Sequence, residues 1–226
     1  MRKLFLGLFA AFSAFAFYLM VASYSHADLN KLPPLESGDL IFETTLTNQT
    51  AAIMLATGSI YTHVGIIHKN TDGYSVIHAA HRVKESPLSE FIESGWGEHF
   101  TILRYPGLTQ ARRDAIVKDA ESFIGRNYNF EFTMKSKDIY CSELPYFAFE
   151  QEHLPIGSLQ KIGDLYMNNP ATRALFDKRW RQHPACQAPG MNADACWKAV
   201  MDEPIITPVS LAHDPKLVRI YSNYLF

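Results

Sequence analysis

The feature that most constrains the fold is a pair of strand-like segments on either side of a short turn signal. Apolar residues dominate residues 61–69 and 74–80, and the Asn and Gly residues of the intervening segment 70–73 are typical of a hairpin turn. The two segments therefore predict an antiparallel β-hairpin. If the turn between Lys69 and Tyr74 contains an even number of residues, these two residues pair with each other.

The other expected elements do not alternate regularly between strand and helix. Further strands are expected at residues 39–43, 99–105 and 216–221, and helices at 48–57, 88–94, 109–125, 141–152 and 170–180, with a helical turn at 207–208. This irregular order predicts an α+β fold with a largely antiparallel sheet.

The first 27 residues have the pattern of an export signal. Arg2 and Lys3 precede an apolar run over residues 4–22, and small residues follow at 25–27. The predicted organisation is a signal peptide at 1–27, a linker at 28–35 and one domain at 36–226. Because about 20 apolar residues can span a bilayer, an uncleaved N-terminal membrane anchor is the alternative. Either case predicts a periplasmic or cell-envelope protein.

The charge of the predicted domain argues against a nucleic-acid partner. Without Arg2 and Lys3, 19 of the 21 basic residues remain against 23 acidic ones, a formal net charge of −4. No basic block stands out, whereas nucleic-acid-binding domains carry a clustered positive surface. The expected partners are therefore a substrate and, through the N-terminal segment, a membrane.

The three cysteines divide into a close pair and a single residue. Cys186 and Cys196 lie in one Pro/Gly/Asn-rich stretch and are expected to form a disulfide in an oxidising compartment. Cys141 is left over, either as a buried thiol that acts as a small hydrophobe or as a nucleophile. Its expected position in the first turn of a helix favours the nucleophile, because the helix N-terminus stabilises a thiolate.

Two histidines interrupt the apolar segments of the hairpin. Each could be an ordinary half-buried residue, but the predicted pairing places Gly65 opposite His78 and so puts His63 and His78 on one face as diagonal neighbours. One imidazole can then act as a base while the other orients it. The sequence alone does not bring Cys141 to this hairpin.

Four short motifs occur in an order that resembles a known family. They are Gly38-Asp-Leu-Ile-Phe, Tyr61-Thr-His-Val-Gly-Ile, Gly125-Arg-Asn-Tyr-Asn-Phe and Tyr140-Cys-Ser-Glu-Leu. In these segments the chain resembles the YiiX/YebB branch of the circularly permuted NlpC-type cysteine hydrolases, relatives of papain. The resemblance implies a permuted papain-like fold with the nucleophile at a helix N-terminus.

The resemblance also implies site residues. It makes Cys141 the nucleophile, His63 the general base and His78 the third member of the triad, a position where the permuted branch often has glutamate. Tyr140 and Tyr128 match aromatic positions that flank the family's site. No metal or organic cofactor is implied.

The expected function is hydrolysis of an amide or ester bond through an acyl-enzyme. Export favours cell-wall peptides as substrate, and lipid-directed relatives make a lipid amidase or acyltransferase the alternative. Two other hypotheses are a non-catalytic binding module of the same fold and a zinc site formed by His63, His78 and Cys141.

Overall fold

The computed structural model describes residues 29–134 and 136–224. Its strands are β1 (Leu40–Thr45), β2 (His63–Asn70), β3 (Gly73–Ala79), β4 (Val83–Pro87), β5 (Gly95–Arg104), β6 (Gln160–Lys161), β7 (Pro204–Ile205) and β8 (Val218–Ser222). Its α-helices are α1 (Thr50–Thr57), α2 (Leu88–Ser94), α3 (Gln110–Glu121), α4 (Glu143–Gln151), α5 (Pro170–Arg179), α6 (Ala193–Met201) and α7 (Pro208–Ala212).

The described residues form one large antiparallel sheet with the strand order β4-β3-β2-β1-β5-β8, and a small ribbon of β6 and β7. The predicted register of the hairpin is confirmed: Lys69 pairs with Tyr74, and Gly65 pairs with His78. The turn is tighter than the expected segment 70–73, because Asn70 still pairs with Gly73.

Each face of the large sheet carries its own hydrophobic core, because successive side chains of a strand point to opposite faces. One core joins the sheet to α3, α4 and the C-terminal helices, and includes Val64 and Leu144. The other core lies under α2 and includes Ile67 and Phe91. We call the two sides of the sheet that carry these cores the α4 face and the α2 face.

Most predicted elements are confirmed, with shifted ends. The helix at 88–94 has the expected bounds. Thr109 caps α3 by accepting a hydrogen bond from the Arg112 N–H. Gly58 ends α1 in a left-handed conformation with φ 64°, where a residue with a Cβ would be strained. The helix predicted to extend to 125 ends earlier, at Glu121, and Ile124 beyond it is 47% exposed.

Four of these strands and helices were not predicted from the sequence: strand β4, helix α6 and the two short strands β6 and β7. Strand β4 has the polar sequence Val-Lys-Glu-Ser-Pro, and pairing with β3 rather than apolar content makes it a strand. The second cysteine of the pair lies in helix α6 and not in a loop, since Asn192 caps that helix through the Ala195 N–H. Strand β5 begins four residues before the predicted start because Gly95 pairs with Thr45 of β1.

The predicted export segment lies outside the described residues. Among residues 29–134 and 136–224, no helix combines the length and apolar character needed to cross a bilayer. Leu35, placed in the predicted linker, is completely buried in the core of the α2 face.

Candidate active site

Cys141 lies in the tight turn that leads into helix α4. The helix begins at Glu143, so the expectation that Cys141 occupies its first turn is wrong by two residues. The Glu143 carboxylate accepts a hydrogen bond of 3.0 Å from the Tyr140 N–H and thereby holds the turn. The thiol still lies at the N-terminal end of the helix, where the Ser142 N–H interacts with the sulfur.

The Cys141 sulfur lies beside the start of strand β2. Its Sγ is 3.8 Å from the carbonyl oxygen of Thr62, and the hydroxyl of Tyr128 donates a hydrogen bond to it at 3.9 Å. The backbone N–H of Val64 also interacts with Sγ. Thr62 and Val64 flank His63, so the sulfur contacts the peptide groups on both sides of the predicted base.

Burial governs the charge of this thiol. Cys141 is 2% exposed, and burial raises its pKa to about 11, although hydrogen bonds from Tyr128, Ser142 and Val64 lower it in part. The expectation that the helix N-terminus makes Cys141 a thiolate is therefore wrong in this closed geometry. At neutral pH the buried sulfur is a thiol.

His63 and His78 form a hydrogen-bonded pair on the α2 face. Nε2 of His63 lies 2.9 Å from Nδ1 of His78, and both rings pack on Phe91 of α2. A Cβ at Gly65 would lie 2.4 Å from Val76 and 3.1 Å from His78, so glycine is required where the two strands pair at the histidines. Burial lowers the pKa of His63 well below its usual value and that of His78 to about 4.

The histidine pair and the cysteine are neighbours without a hydrogen bond between them. The His63 ring stacks on Phe91 of the α2 face, whereas Cys141 packs into the core of the α4 face. Because Nε2 of His63 is used by His78, the other ring nitrogen, Nδ1, is the one left for another partner. Within the described part of the chain, Nδ1 makes no hydrogen bond.

Two further polar residues extend the pair towards the surface. Nε2 of His78 lies 3.3 Å from the hydroxyl of Ser86 on β4, and that hydroxyl donates to Glu90 of α2 at 3.3 Å. The Lys84 ammonium donates to the same Glu90 oxygen at 2.8 Å. Ser86 and Glu90 were not predicted as site residues, because β4 was not predicted. Ser86 and Glu90 are four residues apart, on either side of the predicted start of the helix at 88–94, and this spacing was the sequence signal that could have identified them.

An apolar cavity opens at Cys141 on the α4 face. It contains about 950 Å³ of empty space, including its open mouth. Cys141, Tyr140 and Ser142 form one part of its wall, together with mostly apolar residues that include Ala52, Ala56, Phe130, Phe132, Ile162, Leu165, Met167, Leu175, Phe176, Trp180, Val200, Ile205 and Ile206. Neither histidine of the pair lines it, and Tyr128 contacts the sulfur without reaching the cavity wall.

Most polar side chains of the cavity wall are hydrogen-bonded within the protein. The Tyr140 hydroxyl receives the Ile206 N–H at 3.1 Å and donates to the Met134 sulfur at 3.0 Å. The Ser142 hydroxyl donates to the Ile206 carbonyl at 2.9 Å, and the Thr172 hydroxyl donates to the Met167 carbonyl. The wall thus presents mainly hydrocarbon to a bound molecule.

A disulfide connects two segments that contribute residues to the cavity wall. Cys186 and Cys196 are bonded to each other, and Cys141 is a free, buried thiol. Both half-cystines are buried and lie close in sequence to Trp180 and Val200, which contribute to the cavity wall. The cross-link therefore restrains this part of the cavity wall.

A second group of polar residues lies away from the cysteine. Ligand atoms of His68, Glu85 and Glu121 lie within 4.8 Å of one another. Nδ1 of His68 is 2.8 Å from Oε1 of Glu85. Among the described residues, this is the set with the spacing of a metal site, whereas His63, His78 and Cys141 do not form such a cluster.

Comparisons with known proteins agree with the predicted family and fold. A family model described as "permuted papain-like amidase enzyme, YaeF/YiiX, C92 family" matches residues 34–221. The protein YiiX of Escherichia coli K12 is 26% identical over 178 residues, which cover 77% of this chain and 86% of YiiX. A crystal structure described as the metalloprotein yiiX from Escherichia coli O157:H7 superposes with a TM-score of 0.73 at 24% identity, over 84% of this chain and 98% of that one.

Proposed function

This chain belongs to the family of permuted papain-like amidases, and from that premise we propose that it cleaves an amide bond through an acyl-enzyme on Cys141. One observation carries the proposal. A free thiol forms part of the wall of a large cavity while its sulfur contacts the peptide groups on both sides of His63. An ester of the same acyl group would react by the same steps.

In the proposed mechanism, His63 removes the thiol proton at Nδ1 as Sγ of Cys141 attacks the carbonyl carbon. The negative charge on the carbonyl oxygen is stabilised by N–H groups at the start of α4. The Tyr128 hydroxyl donates to the sulfur, and burial raises the pKa of Tyr128, so that this donor keeps its proton. The tetrahedral intermediate expels the amine, which takes the proton from His63, and water then hydrolyses the thioester.

This chemistry requires Nδ1 of His63 to come within hydrogen-bond distance of Sγ. The two atoms are not hydrogen-bonded here, and catalytic hydrogen bonds often tighten only when substrate is bound. His78 supports the role of His63, because it occupies Nε2 and leaves Nδ1 for the thiol. The proposed roles are therefore Cys141 as nucleophile, His63 as base and His78 as the residue that orients it.

The cavity wall favours a lipid amide as substrate. A long hydrocarbon chain gains about 0.8 kcal/mol for each CH₂ group buried. A cell-wall peptide carries many amide and charged groups, which would lose hydrogen bonds to water against this wall. The cell-wall peptide expected from the sequence remains a prediction, and we propose the lipid amide ahead of it.

The location outside the cytoplasm is also a proposal. The disulfide between Cys186 and Cys196 supports it, since such bonds persist in oxidising compartments. A substrate drawn from the membrane is compatible with attachment through the N-terminal segment. Fractionation of cells with an antibody to the C-terminal region would test this, because recovery in the cytoplasm would contradict export.

The proposed function is tested by measuring turnover of amide substrates that share one leaving group and differ in the acyl group. Full-length protein is assayed with fluorogenic amides that carry a short peptide, a short acyl chain or a long acyl chain. Turnover is expected to be highest with the long chain and absent in Cys141→Ala. Equal turnover in Cys141→Ala would contradict a cysteine mechanism, and preference for the peptide would restore the cell-wall substrate.

Metal binding is a second candidate function, favoured by the group of His68, Glu85 and Glu121. One imidazole and two carboxylates are suitable ligands for a first-row divalent ion. The related protein yiiX is described as a metalloprotein. Metal analysis of purified protein, with His68→Ala as the comparison, would test this candidate. An equal metal content in the parent protein and in His68→Ala would exclude the group of His68, Glu85 and Glu121 as the metal site.

A further inference from the structure

Ser86 and Glu90 are linked to the histidine pair by hydrogen bonds in the folded chain. Nε2 of His63 contacts Nδ1 of His78 at 2.9 Å, Nε2 of His78 contacts the Ser86 hydroxyl at 3.3 Å, and Ser86 contacts Glu90 at 3.3 Å. The first three side chains are buried, and Glu90 lies at the surface beside Lys84. The chain therefore runs from the interior of the sheet to solvent.

The carboxylate at the outer end fixes the direction of every bond in this chain. Lys84 lowers the pKa of Glu90 through its hydrogen bond and its charge, so that Glu90 stays ionised and can only accept. The Ser86 hydroxyl must then donate to Glu90, which leaves its oxygen lone pairs for His78. Nε2 of His78 consequently carries a proton, and Nδ1 of His78 is an acceptor.

The protonation of His78 in turn determines that of His63, the proposed base. Since Nδ1 of His78 accepts, Nε2 of His63 must carry the proton that is donated to it. A neutral imidazole has one protonated nitrogen, so Nδ1 of His63 has a free lone pair. This tautomer is the one that can take the thiol proton, whereas the opposite tautomer could not.

We propose that Ser86 and Glu90 are positioning residues that hold His63 in the tautomer able to accept the proton of Cys141. The inference rests on the proposed function, in which His63 is the base. Glu90 then supplies, through Ser86 and His78, the negative end that a glutamate in the third position would supply directly. The His78–Ser86–Glu90 chain thus explains how histidine can replace glutamate at the third position of the triad.

Other titratable groups face the pair and bear on its pH dependence. Glu43 of β1 is the cross-strand neighbour of His63, Lys84 of β4 pairs with His78, and the Cys141 sulfur lies beside the start of β2. The Lys84 charge adds to burial in lowering the pKa of His78. None of these groups can replace Ser86 as a neutral donor to Glu90.

Imidazole tautomers give the direct test. In full-length protein with ¹⁵N-labelled histidine, Cys141→Ala is expected to show His63 and His78 protonated at Nε2 near neutral pH. Adding Ser86→Ala should convert part of His78, and with it His63, to the Nδ1-protonated form. A His63 ring already protonated at Nδ1 in Cys141→Ala would overturn the proposal.

Acylation kinetics give the second test, with a fluorogenic long-chain amide as substrate. Ser86→Ala and Glu90→Gln are expected to lower kcat about tenfold with little change in KM, since one orienting hydrogen bond is worth roughly 1–1.5 kcal/mol. Ser86→Thr keeps the hydroxyl and should restore most of the rate. Glu93→Gln, on the same helix, is the matched control and should match the parent.

The outcomes separate this proposal from the proposed function. If the parent turns over substrate and Ser86→Ala matches it in kcat and in pH profile, the positioning role fails and the cysteine mechanism stands. If parent and Cys141→Ala are equally active, the cysteine mechanism itself fails. A Ser86→Ala protein with an unchanged circular dichroism spectrum and a lower kcat, rescued by Ser86→Thr, supports the proposal.

Discussion

Nε2 of His63 lies 2.9 Å from Nδ1 of His78, across two strands that the sequence already placed in register. This contact occupies Nε2 of His63, and in the proposed mechanism Nδ1 is the nitrogen that accepts the proton of Cys141. The sulfur contacts the peptide groups that flank His63. Variants of the two histidines therefore test the proposed activity of the site.

The first prediction concerns the third residue of the proposed triad. His78→Gln keeps a hydrogen-bonding side chain and is expected to retain about a tenth of the parent rate, the effect of one orienting hydrogen bond. His63→Ala should lose at least about a hundredfold, because general base catalysis is removed. His78→Glu should match or exceed the parent rate. Labelling with a fluorescent acyl-type probe measures all three variants.

This prediction has a clear contrary outcome. If His63→Ala labels as fast as the parent, His63 is not the base. If His78→Gln loses labelling as completely as Cys141→Ala while still folded, the roles of the two histidines are reversed.

The second prediction concerns the reactivity of the free thiol. Because burial raises the pKa of Cys141 to about 11, little thiolate is present at pH 7. Iodoacetamide should therefore modify Cys141 more slowly than it modifies a free cysteine peptide at pH 7. The rate should rise as pH increases towards 11. Mass spectrometry of the modified peptide provides the measurement, and fast modification at pH 6 would show a stable thiolate instead.

The third prediction concerns a buried carboxyl next to the histidine pair. Glu43 is completely buried, Ser94 donates to one of its oxygens, and the other oxygen has no partner among the described residues. Burial raises the pKa of Glu43 well above 4.5, so the folded protein binds a proton that the unfolded chain releases. Stability should therefore fall as pH rises above 4.5.

The variant Glu43→Gln removes this proton linkage. We expect it to stabilise the protein at pH 8 by roughly 1–3 kcal/mol, the cost of a buried unpaired polar group, and to have little effect at pH 5. Thermal unfolding at the two pH values measures the difference, with Glu93→Gln as the exposed control. A loss of stability at pH 8 would mean that the ionised carboxylate is stabilised in the folded protein.

The fourth prediction concerns the size of the cavity. Ala52 of α1 is buried and lines the cavity, whereas Ala51, its neighbour in the helix, is exposed. Ala52→Leu adds bulk inside the cavity and should reduce turnover of a long-chain amide by about tenfold, since overpacking costs roughly 1–3 kcal/mol. Turnover of a short-chain amide should change little. Ala51→Leu is the matched control, and an equal loss with both chain lengths would show that Ala52→Leu distorts the site as a whole.

Local sequence patterns were sufficient for the hairpin, because its turn residues and its apolar segments determine the register without help from distant residues. That register predicted the shared face of His63 and His78. The cap at Thr109 and the end of α1 at Gly58 likewise depend on contacts within one turn of the chain. The resemblance in the four motifs also predicted the family.

Tertiary structure alone decided where Cys141 lies and what charge its sulfur carries. The sequence placed this residue at a helix end and so favoured a thiolate, but burial against β2 and Tyr128 outweighs that local effect. Strand β4 has too few apolar residues to be recognised, and it forms only because β3 offers it hydrogen bonds. Through that pairing Ser86 reaches His78, and residues distant in sequence enclose the cavity at Cys141. Desolvation and cross-strand contact depend on distances in space, which a local pattern does not contain.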